Sequence, residues 1–144
     1  MRELIYACVV LSSACADIST RVNVAPSAMG KFDDISTAIE QLNAIVKTDA
    51  YTLDLTVHER RADNEVVVRG REELGQRVRG LCTRELRGIV VLVTPDSSAL
   101  QVAHELGHAA RLKHVDDRSN LMHPQAQRWG LTEAQIDKIL EAKR

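Results

Sequence analysis

The sequence predicts an α+β domain in which a small twisted mixed β-sheet is preceded by one helix and followed by two. Three observations carry that prediction. Apolar residues at helical spacing run from Ile35 to Val46, β-rich runs cover residues 51–58, 65–69 and 88–93, and capping boxes open helices at Ser98 and Thr132. The chain has 144 residues, enough for one domain with a single core. Aromatic residues make up only 3%, so that core has to be built from Val, Leu, Ile and Ala.

At the start, Met1-Arg2-Glu3 is followed by an apolar run over residues 4–11 and then by Ser12-Ser13-Ala14-Cys15-Ala16. A charged beginning, a hydrophobic stretch and small residues after it have the form of a signal peptide over residues 1–15. Export from a bacterial cell is therefore expected. Two ends to the signal fit. Ala14-Cys15-Ala16 suits ordinary signal peptidase and a secreted product, whereas Ser12-Ser13-Ala14-Cys15 resembles a lipobox, with Cys15 lipidated and the protein anchored to a membrane. Cys8 would leave with the signal, and Cys82 would remain without a disulfide partner. Its neighbour Leu81 predicts that Cys82 is a buried small hydrophobe.

A formal net charge of −1 argues against nucleic acid as a partner. No stretch of the mature chain is long and apolar enough to span a bilayer.

Residues 16–31 show no clear period, and Pro26 and Gly30 mark them as an extended lead-in to a domain over residues 32–144. Ile35, Ala38, Ile39, Leu42, Ile45 and Val46 then share one helical face, with Asp33 or Asp34 as the N-cap and an end near Thr48. Residues 51–58 alternate apolar and polar, as a half-buried strand does, which leaves His58 on the exposed face. Val66-Val67-Val68 centres a second strand. Residues 88–93 are apolar throughout and predict an interior third strand. A weaker edge strand lies within residues 76–84, where arginines interleaved with glutamates suggest a solvated face.

Pro95 ends the third strand. Ser98 with Gln101 opens a helix through Leu100, Val102, Ala103, Leu106 and Ala110. Residues 113–130 are irregular. Thr132 with Gln135 then caps a last helix, and Leu131 with Ile136 stand at the positions of a hydrophobic staple.

The chemistry is concentrated on the helix after Ser98. His104-Glu105-Leu106-Gly107-His108 places two histidines four residues apart, so both imidazoles reach one metal ion from the same face. Glu105 projects beside that ion, where a carboxylate can take a proton from water. His114 is the third candidate ligand. It lies six residues past His108, too far for the same helical face, so the chain must leave the helix and turn back.

The segment from His104 to His114 resembles the zinc signature of the metzincin metallopeptidases, most of all the matrixin branch. Asn120-Leu121-Met122-His123-Pro124 is similar to the Met-turn of that family, and residues 131–139 are similar to the start of its C-terminal helix. The resemblance covers roughly residues 100 to 140. It implies a zincin-like fold with an active-site helix, a Met-turn and a C-terminal helix. It also implies one catalytic Zn2+ held by His104, His108 and His114, with Glu105 as general base for hydrolysis of peptide bonds in a protein or peptide substrate. Met122 would form the floor under the metal, His123 and Pro124 would stand at the cleft wall, and substrate would lie extended along the sheet edge. A monomer is expected.

Some positions depart from the family pattern. Arg111 stands where metzincins usually carry Gly, and a left-handed conformation there would cost about 1–2 kcal/mol. Pro124 stands where astacins carry a tyrosine ligand, so no fifth protein ligand is expected. Ala134 and Gln135 replace acidic residues, and of the two only Gln135 can still hydrogen-bond the Met-turn. The chain is short for the family, which leaves structural Ca2+ open. Asp116 and Asp117 read as solvated loop residues, with support for a ligand, or service as a replacement ligand, as the sharper alternatives.

Two rivals stand beside the peptidase. A zinc-binding but inactive relative would serve as a binding module. Ribosomal-RNA maturation endonucleases share the three-histidine spacing, yet carry a non-acidic residue where Glu105 stands.

Overall fold

A computed structural model describes residues 19–54, 65–75, 78–85 and 88–142. The candidate signal with Cys8 and Cys15, the second half of the 51–58 strand with His58, and the arginines at 77 and 87 lie outside the described residues.

Five strands form one mixed sheet in the order β2-β1-β3-β5-β4. They are β1 (Thr20–Val24), β2 (Tyr51–Asp54), β3 (Glu65–Gly70), β4 (Gly80–Glu85) and β5 (Gly88–Val93). β1 runs parallel to β2 and β3, and β3 runs parallel to β5. β4 alone is antiparallel, paired with β5 from Gly80 opposite Val93 to Glu85 opposite Gly88. The apolar run of β5 is thus an interior strand, and the weak edge signal is β4 at the rim.

The lead-in needs correcting. Residues 20–24 are not an approach to the domain but β1, inserted between β2 and β3 with Val22, Asn23 and Val24 buried. A strand of five residues, paired with partners such as Val66, is too short to declare itself by local pattern. Pro26–Lys31 then forms a 3-10 turn that feeds directly into helix α1 (Phe32–Val46).

The helix start also differs from expectation. Lys31, not Asp33 or Asp34, occupies the N-cap position, and no side chain caps it. Both aspartates lie inside the first turn, where their charge faces the positive end of the helix dipole. Lys31 bonds Asp34 at 2.7 Å and donates to the Pro95 carbonyl at 3.0 Å. The far end stops at Val46 because Lys47 turns left-handed, with φ 58°.

Helix α1 buries Ile35, Ala38, Ile39, Leu42 and Val46 against the sheet and against helix α2 (Ala99–Ala109). Val22, Val66, Val68, Val91 and Val93 are fully or almost fully buried in the same core. Each such side chain contributes about 1.5–3 kcal/mol before chain entropy is counted. Helix α3 (Glu133–Glu141) closes the fold through Ile139, with Leu131 and Ile136 packed on the core where the staple requires them. Trp129 packs there as well. The α+β class is as expected.

One polar tie fixes α1 to the sheet. Asn43 donates to the Tyr51 carbonyl and accepts from the Tyr51 amide, both at 2.9 Å. That places Tyr51 so that its ring enters the core, 3% exposed. Truncation Asn43→Ala removes both bonds from a part-buried site and should cost about 2 kcal/mol. Urea denaturation should show a lower midpoint at unchanged slope. A loss below about 0.5 kcal/mol would contradict the tie.

Candidate metal centre

The start of α2 is held rigidly. Ser98 Oγ accepts from the Gln101 amide at 3.3 Å, and Gln101 Oε1 accepts from the Ser98 amide at 2.8 Å. Just before it, Ser97 Oγ accepts from the Thr94 amide and donates to the Arg79 carbonyl, which ties the helix entry to the approach to β4.

The other end of α2 is a Schellman motif. Ala110 is the C-cap and Arg111 takes φ 66°. The Arg111 amide donates to the His108 carbonyl at 2.9 Å, and the Leu112 amide to the Gly107 carbonyl at 3.0 Å. Leu112 is buried, and its side chain meets the helix at Gly107. The left-handed residue sends the chain back along the helix, which brings His114 to the other two histidines. Arg111 does this work in place of glycine, at about 1–2 kcal/mol of strain, while its side chain stays exposed.

The three imidazoles converge. Nε2 of His104 lies 3.1 Å from Nε2 of His108 and 3.1 Å from that of His114, and the last two are 3.0 Å apart. His104 Nδ1 donates to the Leu121 carbonyl at 2.7 Å, and His108 Nδ1 to the Leu112 carbonyl at 2.8 Å. A carbonyl can only accept, so each Nδ1 carries a proton, and in the neutral ring Nε2 is then the nitrogen with the lone pair. Burial, opposed by the bond to Leu121, pushes His104 down to about 4 and keeps it neutral. His114 is displaced in the same direction by partial desolvation and by His108.

This donor set fits a zinc ion. A circle through three points 3.0–3.1 Å apart has a radius of roughly 1.8 Å, less than a zinc–nitrogen bond of about 2.0–2.1 Å. His104, His108 and His114 could therefore hold one zinc ion together through Nε2. His104, His108 and His114 are the group among the described residues able to hold a metal in this way.

Beneath them lies Met122, fully buried. A Cβ added at Gly107 would stand 2.5 Å from its sulfur, so the glycine between the two helical ligands is what lets the thioether approach. The turn carrying Met122 is held on both sides. Its amide donates to Asn120 Oδ1 at 2.8 Å, and its carbonyl accepts from the Val115 amide at 3.2 Å. Gln135 does not bond the turn's backbone. It reaches the turn through Asn120, whose Nδ2 donates to Gln135 Oε1 at 2.8 Å while Gln135 Nε2 returns a bond to Asn120 Oδ1 at 3.2 Å.

Glu105 points away from Met122 toward the sheet edge. It is 8% exposed and accepts from the Cys82 amide of β4. Burial pushes its carboxyl up to about 7, with that amide pulling the other way. Gly80 is required here too, since a Cβ would lie 2.8 Å from Glu105 Cγ. Glu105, His104 and His114 open onto a cleft of about 310 Å³, walled by Gly80 on the strand side and by Pro124 and Gln125 on the loop side.

His123 Nδ1 accepts from the Gln125 amide at 3.0 Å, and the ring stands close enough to His104 and His114 to act on both electrostatically. Asp116 and Asp117 are exposed, and Asp117 spends its carboxylate on the amide and hydroxyl of Ser119. Cys82 is half-buried rather than buried, and burial pushes its thiol up to about 11.

Other contributors carry no local signature. Arg84 donates to the Ala109 carbonyl at 3.2 Å, and the Tyr51 hydroxyl to the Leu106 carbonyl at 3.3 Å, so the last turn of α2 is gripped from two strands.

No family model and no curated protein matches the sequence. Among solved structures, the chain is similar to a zinc-dependent peptidase from Methanocorpusculum labreanum at 12% identity and a TM-score of 0.47. The match covers 86% of this chain and 99% of that one.

Two outcomes test the geometry. Arg111→Gly should relieve the left-handed strain, partly offset by a more flexible unfolded chain, for a net gain of up to about 1 kcal/mol by urea denaturation. A loss of stability would mean that the arginine side chain does something the exposed rotamer does not show. The second concerns Glu105 in chelator-treated, metal-free protein. Its pKa is raised on folding, so its contribution to stability is complete below the unfolded value of 4.5 and is lost as pH rises through about 7. Glu105→Gln should then exceed wild type at pH 8 by on the order of 2–3 kcal/mol and match it near pH 5. Equal differences at both pH values would refute the burial argument.

Proposed function

We propose that this chain is a zinc-dependent endopeptidase of the metzincin type, matrixin-like in its Met-turn and C-terminal helix. The observation that carries this is the convergence of three imidazole nitrogens beside a buried carboxylate on the wall of an open cleft. Zinc, when bound, would supply a Lewis acid for the scissile carbonyl and make a nearby water more acidic. His104, His108 and His114 would hold it through Nε2. The Leu121 and Leu112 carbonyls fix two of the rings in the ligating tautomer.

Glu105 is the general base. Its carboxylate takes the proton of the attacking water and returns it to the leaving amine. Desolvation holds its pKa near neutrality, where one group can serve both as base and as acid, and a cation beside it biases it toward the charged form. The Cys82 amide keeps the carboxylate aimed along the cleft rather than out to solvent.

Substrate is a protein or peptide lying extended beside β4, the last strand of the sheet on this side. Backbone groups of that rim would add the peptide as a further strand. Pro124 and Gln125 form the opposite wall. We take the enzyme to be an exported bacterial protein, secreted or held by a lipid on Cys15, that acts as a monomer; the signal-like pattern of residues 1–15 supports the export.

Purified chain beginning at Ala16 should bind close to one zinc per molecule by elemental analysis. Glu105→Ala should keep that zinc and lose casein cleavage by at least about 100-fold. Zinc binding with wild type and variant equally inert on a broad peptide library would favour the binding module. Cleavage of RNA without cleavage of peptides would favour the nuclease.

A further inference from the structure

The walls of the cleft carry a sign. Beside the histidines and Glu105, two polar side chains line its strand-and-helix side, Arg79 at the approach to β4 and Gln101 in the first turn of α2. The peptidase reading makes no use of either. One polar knot holds both. The Arg79 carbonyl accepts from Ser97 Oγ, and the next residue, Ser98, exchanges cap bonds with Gln101. Arg79 also precedes Gly80, which opens β4 opposite Val93 and whose backbone lies close against Glu105. Gln101 stands one helical turn before Glu105 on the same face. Both side chains therefore leave fixed backbone beside the proposed general base.

Each presents donors and no free acceptor. A guanidinium carries five N–H groups, accepts nothing and stays charged. Gln101 commits Oε1 to the Ser98 amide at 2.8 Å, which leaves the Nε2 donors as its free end. Among the described residues, neither the Arg79 guanidinium nor Gln101 Nε2 has a hydrogen-bond or ion-pair partner. Glu72, Glu73 and Asp96 line the adjoining hollow, which shares Val78 and Arg79 with the cleft, and none of them pairs with the guanidinium. Glu105 is not its partner either, because burial and the Cys82 amide are what displace that carboxyl.

A wall that offers donors and a permanent positive charge suits a group that is negative and only accepts. A guanidinium fork matches a carboxylate through two parallel bonds. We infer, resting on the peptidase reading, that Arg79 and Gln101 form a carboxylate subsite of the cleft, so that the preferred substrate carries a carboxylate near the bond to be cut. Arg79 lies one residue before Gly80, and neighbouring Cα atoms are about 3.8 Å apart. A peptide beside β4 advances about 3.3 Å per residue, which puts the carboxylate about one to three residues from the scissile bond. An aspartate or glutamate side chain supplies it, or the C-terminus of a short peptide.

The test gives the zinc-loaded chain two series of quenched fluorogenic peptides. In one, both ends are blocked and Glu is exchanged for Gln at each of the positions around the scissile bond; in the other, the C-terminus is free or amidated. The carboxylate member should show kcat/KM about 10-fold higher at one position or at the free end, a ratio that shrinks in 1 M salt. A position-specific effect identifies a side chain as the source and an end effect identifies the terminus, and each upholds the subsite. Arg79→Glu should invert the preference toward Lys over Gln, which a mere loss of packing would not do. Gln101→Glu keeps the capping box, exchanges a donor for a charge and should lower the ratio. Zinc-loaded Glu105→Ala should bind the carboxylate peptide about 10-fold more tightly than its neutral partner by fluorescence anisotropy, a readout free of turnover. An active wild type indifferent to both exchanges would overturn the subsite, as would a preference that survives in Arg79→Glu. Tighter binding of the carboxylate peptide without cleavage of any peptide would leave the subsite standing and sink the peptidase reading; neither cleavage nor preference would sink both.

Discussion

Three imidazole nitrogens stand 3.0–3.1 Å from one another around one point, and much of the local structure exists to hold them there. Two come from one helical face, which costs the fold little. The third comes from a different segment and requires a chain reversal within a few residues. The Schellman motif at Ala110 and Arg111 performs that reversal, and buried Leu112 locks it. The returning chain then needs a support. The Met122 turn supplies one, since the Leu121 carbonyl receives the His104 proton and the Met122 carbonyl receives the Val115 amide. The Asn120–Gln135 amide pair finally fastens that turn to α3. Each layer holds the one inside it. The last helix, remote from the three histidines in sequence, is thereby part of the site.

Glu105 is positioned by a different logic. It shares a helix with His104 and His108 but faces β4, and the sheet topology decides what it meets there. Because β4 is antiparallel at the rim, it presents the Cys82 amide to the carboxylate and the Gly80 backbone close beside its Cγ. One strand therefore both orients Glu105 and borders the cleft. A shift of β4 by one residue along β5 would put a side chain where the glycine now stands.

Local rules explain what the sequence could announce. Both capping boxes form with their reciprocal bonds, because each depends only on residues three apart. The two helical histidines follow from the same short-range geometry. Contacts between distant segments left no such trace. β1 owes its existence to pairing with β2 and β3, and its five residues have no period that survives next to Pro26. The Cys82 amide is a backbone group, so no residue type marks it. Asn120 and Gln135 were visible as neighbours of motifs, but their mutual bond depends on how α3 docks.

Arg111 is where local preference and tertiary demand conflict most openly. A non-glycine residue at φ 66° works against about 1–2 kcal/mol. Against that stand two Schellman hydrogen bonds, each worth about 1 kcal/mol, and the burial of Leu112. The strain is smaller than their sum. It is also confined to the backbone, since the arginine side chain faces solvent and the chain follows the path a glycine would take. The substitution therefore draws on stability and leaves the position of His114 unchanged. Whether the chain hydrolyses peptides then turns on Glu105 and its grip by β4, not on the residue that departs most visibly from the metzincin pattern.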